Sequence, residues 1–191
     1  VSGQDSPAGT DPSVLGPRSV AGALELLAPA EHPGLLPPAV AAALPEGARV
    51  CAIEEDVADT AALVEAAGVP LEGSANCVLV SGRRGGEERV AACVVLATTR
   101  ADVNGAVKRA LDVRKASFLP QERAVAESGM EFGGITPVGL PGGWRVLVDR
   151  AVAESPWVLI GSGVRRSKLV VRGADVASLP GAQVADIALR G

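Results

Sequence analysis

The sequence contains no tyrosine and only two phenylalanines and two tryptophans in 191 residues, so large rings cannot fill its interior. Alanine, valine and leucine must build the core instead, in layers of small side chains, and the chain is long enough for one ordinary domain. So few rings also argue against recognition of a single strand by successive base stacking, so any nucleic-acid contact should be mainly electrostatic or made to one terminal nucleotide in a pocket. Histidine is nearly missing: His32 is alone and stands in a proline-rich stretch. The three cysteines, Cys51, Cys77 and Cys93, form no CxxC pair. A zinc site needs about four N, S or O donors, and no cluster supplies them, so neither metal nor cofactor is expected. A Ser-His or Cys-His nucleophile would have to recruit that one imidazole. The cysteines read as small buried hydrophobes that a reducing compartment keeps as thiols, with Cys77 and Cys93 nearly opposite in a hairpin. No run of about 18 apolar residues is present, so no membrane-spanning helix is expected. Residues 1–13 lack the charged and apolar regions of a secretory signal and read as a disordered tail, which makes the cytoplasm the default location.

The charge that is present is unevenly spread. Residues 1–75 hold two basic and eleven acidic side chains, net −9, whereas residues 76–191 hold sixteen basic and eleven acidic, net +5. Such asymmetry can focus a positive field on one face and attract a phosphate backbone.

Local patterns give a coarse map. Apolar spacing predicts a helix over 19–27, stopped by Pro29 and Pro33, and a second short helix from Pro37 and Pro38 to before Gly47. Residues 49–53 read as a strand. Asp59 is a good N-cap for a helix reaching Ala67, with Gly68 as its stop. The runs 75–80 and 89–97 predict a hairpin joined by the intervening Ser-Gly-Arg-Arg-Gly-Gly-Glu-Glu. Asp102 should cap a helix carrying Val103, Ala106, Val107 and Ala110 on a buried stripe. A short helix should follow Pro120, strands should occupy 145–148, 157–160 and 167–171, and a last strand should lie near Val184. The expectation is an α/β fold with a mixed β-sheet flanked by helices. Residues 14–54 would form a helical extension packed on a main domain over 55–191.

Two glycine-rich segments are candidates for chemistry. In Gly133-Gly134-Ile135-Thr136-Pro137 the glycine pair permits positive φ and lets a ligand approach backbone N–H groups, while Pro137 stiffens the chain. Such a loop suits an acyl carbonyl or its oxyanion. Gly161-Ser162-Gly163 ends an apolar strand and is followed by Arg165, Arg166 and Lys168, a pattern that suits a phosphate. Neither GxxxxGK[ST] nor a strand-to-helix GxGxxG is present. Arg100, Lys108, Arg109, Arg114 and Lys115 form a second basic group.

Taken in order, these pieces resemble a known family. Asp59-Thr60 opening a helix, the 75–80 strand, residues 97–102 before a helix, Arg114-Lys115-Ala116-Ser117, residues 129–137 and residues 161–166 are together similar to the YbaK/prolyl-tRNA synthetase-associated domain. The similarity covers roughly residues 55–189. It implies an α/β fold with a mixed, curved β-sheet, a pocket for the aminoacylated 3′ end of a mischarged tRNA, and hydrolysis of the ester joining a wrong amino acid to the terminal ribose. By this resemblance Gly133, Gly134, Ile135, Thr136 and Pro137 would line the pocket and offer donors to the ester carbonyl. Gly161, Ser162 and Gly163 would form its other wall, and Arg165 and Arg166 would meet phosphates. Deacylases of the family usually carry a lysine early in the first hairpin strand, and here Asn76 falls at that position. Asparagine can orient water or a carbonyl but brings no charge, and Arg100 or Lys115 would have to fold back to restore it. The reading is therefore an aminoacyl-tRNA deacylase acting in trans, with Asn76 among its catalytic residues. The alternative is a non-catalytic pocket that binds an acceptor end, an amino acid or a nucleotide.

Overall fold

The computed structural model describes residues 14–189, so the expected tail over 1–13 lies outside them. Ten strands and seven α-helices alternate along the described chain. The helices are α1 (Pro17–Ala21), α2 (Pro38–Ala42), α3 (Thr60–Ala67), α4 (Lys108–Leu111), α5 (Gln121–Ser128), α6 (Arg150–Ala153) and α7 (Gly173–Ala177). The strands are β1 (Arg49–Ala52), β2 (Ala75–Arg84), β3 (Glu87–Leu96), β4 (Arg100–Ala101), β5 (Ala116–Phe118), β6 (Arg145–Asp149), β7 (Val158–Gly161), β8 (Ser167–Val171), β9 (Ala182–Ala185) and β10 (Ala188–Leu189).

Five strands form a mixed sheet in the order β5-β2-β3-β6-β9, antiparallel at β5-β2-β3 and parallel at β3-β6-β9. A second, antiparallel sheet has the order β1-β8-β7. The two meet where Ser74 bridges Leu159, so the start of β2 lies beside β7. The expected mixed α/β class is the one found, and the described strands do not close into a barrel.

The details depart from the sequence map in instructive ways. The first helix is not 19–27 but 17–21: Gly22 turns away at φ 59°, where a Cβ would lie 2.3 Å from the Ala67 carbonyl oxygen. Leu27 instead pairs with Val50 at the edge of β1. The hairpin strands run on through the charged residues, leaving Gly85-Gly86, at φ 60° and 88°, as a two-residue turn. Consecutive positive φ values match the right-handed twist of the flanking strands, so the tighter turn wins over the eight-residue connection. Cys93 faces Val78, one position away from Cys77. Asp102 does cap its helix, accepting from the N–H groups of Gly105 and Ala106, but the first turn is a wide π turn over Val103–Val107. β1, within the stretch preceding residue 55, pairs with β8 and is thus part of the second sheet.

The core is aliphatic, as the shortage of rings requires: the largest fully buried side chains include Leu63, Leu111, Leu147, Ile160, Leu169 and Ile187. Asp149 is one of the few buried charged residues. Its carboxylate accepts from Ala151 N at 3.1 Å to start α6, and from Ile187 N and Ala188 N at 3.0 Å each. One side chain thereby ties β10 to the end of β6.

Candidate functional site

A cleft of about 850 Å³ opens beside the junction of the two sheets. The start of β2 contributes Asn76 and Cys77, and the N-terminal turn of α3 contributes Asp59, Thr60 and Ala61. Residues 118–135, spanning the end of β5, α5 and the first glycine loop, contribute Phe118, Leu119, Phe132, Gly133 and Ile135. The end of β7 and the start of β8 contribute Gly161, Arg165 and Lys168.

The two glycine loops are bound to each other before they can serve any ligand. Gly163 N donates to Gly134 O at 2.7 Å, Glu131 N to Gly163 O at 2.9 Å, and Gly134 N to Glu131 O at 2.9 Å. A Cβ on Gly134 would lie 2.5–2.8 Å from the Val164 backbone, and one on Gly161 would lie 2.4 Å from Ile135 O. Glycine at both positions is therefore a condition of loop-on-loop packing. The amide of Gly134 is spent inside the structure. Those of Gly133 and Ile135 donate to no group among the described residues, and both residues line the cleft.

Several predicted site residues stand outside this lining. Thr136 is fully buried, its Oγ1 has no partner among the described residues, and its N–H donates to Met130 Sδ at 3.5 Å. Pro137 lines a separate depression of about 380 Å³ with Gly139 and Trp144. Ser162 is buried, with its hydroxyl on Ser167 O at 2.8 Å and Val164 O at 3.1 Å. Gly163, at φ 90°, packs against Pro37 and Val40. Arg166 holds the N-terminal segment by donating to Gly34 O at 3.1 and 2.9 Å. Arg100 sits in β4 opposite Leu189, and Lys115 is exposed beyond the edge of the five-stranded sheet; neither side chain lines the cleft. An unpartnered buried hydroxyl costs about 1–3 kcal/mol. Thr136→Val, which keeps the branched shape, is expected to raise stability by about 1 kcal/mol in urea unfolding and to leave cleft chemistry intact.

The cations of the lining are Arg165 and Lys168, not Arg100 or Lys115, and Lys168 is the buried one of the two. This side chain is 8% exposed, enters the cleft from β8 and donates from Nζ to Ala58 O at 2.7 Å. Two residues on, Thr60 Oγ1 donates to Asn76 Oδ1 at 3.1 Å. The turn 58–60, shaped by Asp59 as N-cap of α3, thus anchors both Lys168 and Asn76. Asn76 Nδ2 has no acceptor among the described residues. Burial pushes the Lys168 ammonium below its ordinary range, Asp59 opposes that shift and Arg165 adds to it. Arg165 lies against Gly133, where a Cβ would meet Nη1 at 2.6 Å, and donates from Nη2 to Glu55 O at 2.7 Å. Its backbone N–H is held by Glu131 Oε2 at 2.6 Å.

A thiol nucleophile is disfavoured. Cys77 lines the cleft, but burial, reinforced by Cys93, pushes its pKa far above the usual thiol range; burial alone raises Cys93 to about 12. A protonated thiol is a poor nucleophile.

The family model for the aminoacyl-tRNA editing domain matches residues 54–179. The chain belongs to this family. Solved structures share the fold. One is the hypothetical protein APE2540, at 22% identity and a TM-score of 0.66 over 74% of this chain and 91% of that one. A second is described as a candidate trans-editing enzyme for prolyl tRNA synthetase, at 20% identity and 0.65 over 75% and 87%. A third is a scaffold protein used for epitope backbone grafting by computational design, at 20% identity and 0.68 over 80% and 94%. Among the described residues of this editing domain no helix is long and apolar enough to cross a membrane, and no group of His, Cys, Asp or Glu could hold a metal ion.

In the sequence Lys168 stands out only as one of three cations after Gly161-Ser162-Gly163, not as a buried side chain of the cleft. The available signal was its place inside Ser-Lys-Leu-Val-Val, where a lysine interrupts a strand otherwise buried throughout. Lysine is rarely buried without a reason, and that strand pattern was the clue.

Proposed function

We propose that this editing domain is an aminoacyl-tRNA deacylase acting in trans, which hydrolyses the ester between a wrong amino acid and the 3′-terminal ribose. The observation that carries the reading is the convergence of the buried Lys168 ammonium, Asn76 and the two uncommitted amides of Gly133 and Ile135 in one cleft. A family relationship alone leaves the activity open; these groups give it a means.

In this reading the ester carbonyl enters towards the amides of Gly133 and Ile135, which meet the negative charge that develops when water adds to the acyl carbon. Lys168 supplies the full positive charge that Asn76 cannot, and Asn76 Nδ2 orients the carbonyl or the water. The bond from the acyl carbon to the ribose oxygen then breaks, that oxygen takes up the proton given up by the attacking water, and the amino acid leaves carrying the water's oxygen in its carboxyl group. Arg165 stands at the edge of the cleft, where a phosphate of the acceptor end would pass. Aliphatic lining from Leu63, Leu79 and Ile160 suits an amino acid with an apolar side chain.

The test is release of amino acid from a panel of mischarged tRNAs, followed at neutral pH. Turnover of at least one by the parent protein, lost on Asn76→Ala combined with Lys168→Met, supports the deacylase. Tight binding of the panel with no release from any member would show a pocket that recognises without chemistry.

A further inference from the structure

Both phenylalanines of the chain lie on the cleft, and both are largely exposed, Phe118 at 60% and Phe132 at 52%. Phenylalanine is ordinarily among the most buried residue types, yet this aliphatic core takes up neither ring. Leu71, 38% exposed, adds a third apolar side chain to the same lining. Apolar surface concentrated at a cleft marks a place where something else covers it.

The surroundings select the occupant. Phe132 immediately precedes Gly133, against which the Arg165 guanidinium rests, and the Lys168 ammonium lies in the same cleft. Flat rings beside cations are the combination that holds an unstacked nucleobase together with its phosphate. An apolar peptide segment would have no use for the two cations. We infer that Phe118 and Phe132 form a stacking subsite for the terminal nucleobase of an RNA 3′ end. The cleft thereby reads the end of the acceptor strand as well as the amino acid on it. Few aromatics exclude a stacking platform for a run of bases, but one terminal base needs only one or two rings. The inference rests on the proposed function for its RNA ligand, but it concerns binding and can be separated from hydrolysis.

The probe is an uncharged acceptor-stem minihelix with 2-aminopurine in place of its 3′-terminal adenine. Stacking on the rings is expected to quench its emission on binding to the full chain. Phe118→Leu and Phe132→Leu keep apolar bulk but remove the aromatic face; each is expected to lose the quench and weaken binding by roughly 5-fold or more. A minihelix without the terminal base should bind parent and variants alike. Both side chains are exposed, so neither substitution should change the unfolding midpoint. Binding without quenching, unchanged affinity in both variants, or no binding by the parent would overturn the subsite. Quenching that depends on the rings without hydrolysis of any mischarged tRNA would sustain the subsite and refute the deacylase. Hydrolysis with KM unaffected by the ring substitutions would do the reverse.

Discussion

Lys168→Met is expected to lower kcat/KM for ester hydrolysis by roughly 10- to 100-fold while leaving the protein folded. The magnitude follows from removing one charge-assisted interaction, worth about 1.5–3 kcal/mol. Methionine retains most of the length and apolar stem, so packing in β8 is largely preserved. The same variant has a second signature, in stability. An unfolded lysine titrates near its ordinary 10.5, whereas burial places the folded Lys168 below that value. Between the depressed folded pKa and 10.5 the unfolded chain binds more protons, so this group's contribution to stability rises with pH across that window. Below the window both states are protonated and the full penalty of burying the charge is present. Urea midpoints measured from neutral pH to 10.5 should show this rise in the parent and lose it in Lys168→Met. The cation is held at a cost to the fold, which is how functional groups are often kept. If turnover needs the charged form, kcat should fall as pH climbs through the depressed pKa. Unchanged turnover in the variant would remove Lys168 from the mechanism.

Gly134→Ala is expected to destabilise the domain by about 2–4 kcal/mol, and Gly134→Val by more. The added Cβ would lie 2.5–2.8 Å from the O, C and N atoms of Val164, and backbone cannot rotate away as a side chain can. Relief requires separating the loops, which breaks the Gly163 N to Gly134 O bond and displaces the amides of Gly133 and Ile135. Stability and cleft geometry should therefore be lost together, in denaturant melts and in hydrolysis assays. The control lies a few residues on: a Cβ at Gly142 meets nothing within 4 Å. Gly142→Ala should stay within about 0.5 kcal/mol of the parent. If Gly134→Ala melts like the parent, the loop-on-loop account is wrong.

The glycine segments thus have a meaning different from the one their composition suggested. In Gly133-Gly134-Ile135 the second position is a packing contact, while the amides of the first and third donate to no group among the described residues. Gly161-Ser162-Gly163 is mainly the surface on which the first loop is set. Sequence spacing could not separate these uses, because they depend on which face of each loop meets the other.

The chain by itself determined the class of its core, the mixed α/β order of elements, the Asp59 and Asp102 caps and the family. These rest on local chemistry: aliphatic periodicity, a carboxylate that satisfies helix N–H groups, and ordered motifs in one stretch of chain. Only the tertiary structure decided which residues share the cleft. Lys168 and Asn76 are 92 positions apart in number and are joined through a turn at 58–60 that belongs to neither strand. Phe118 and Phe132 looked too few to matter until the fold left both exposed on one opening. Propensity and capping act between neighbours along the chain. A binding site is made by sheet register and loop contacts between residues remote in sequence, and no local pattern records them.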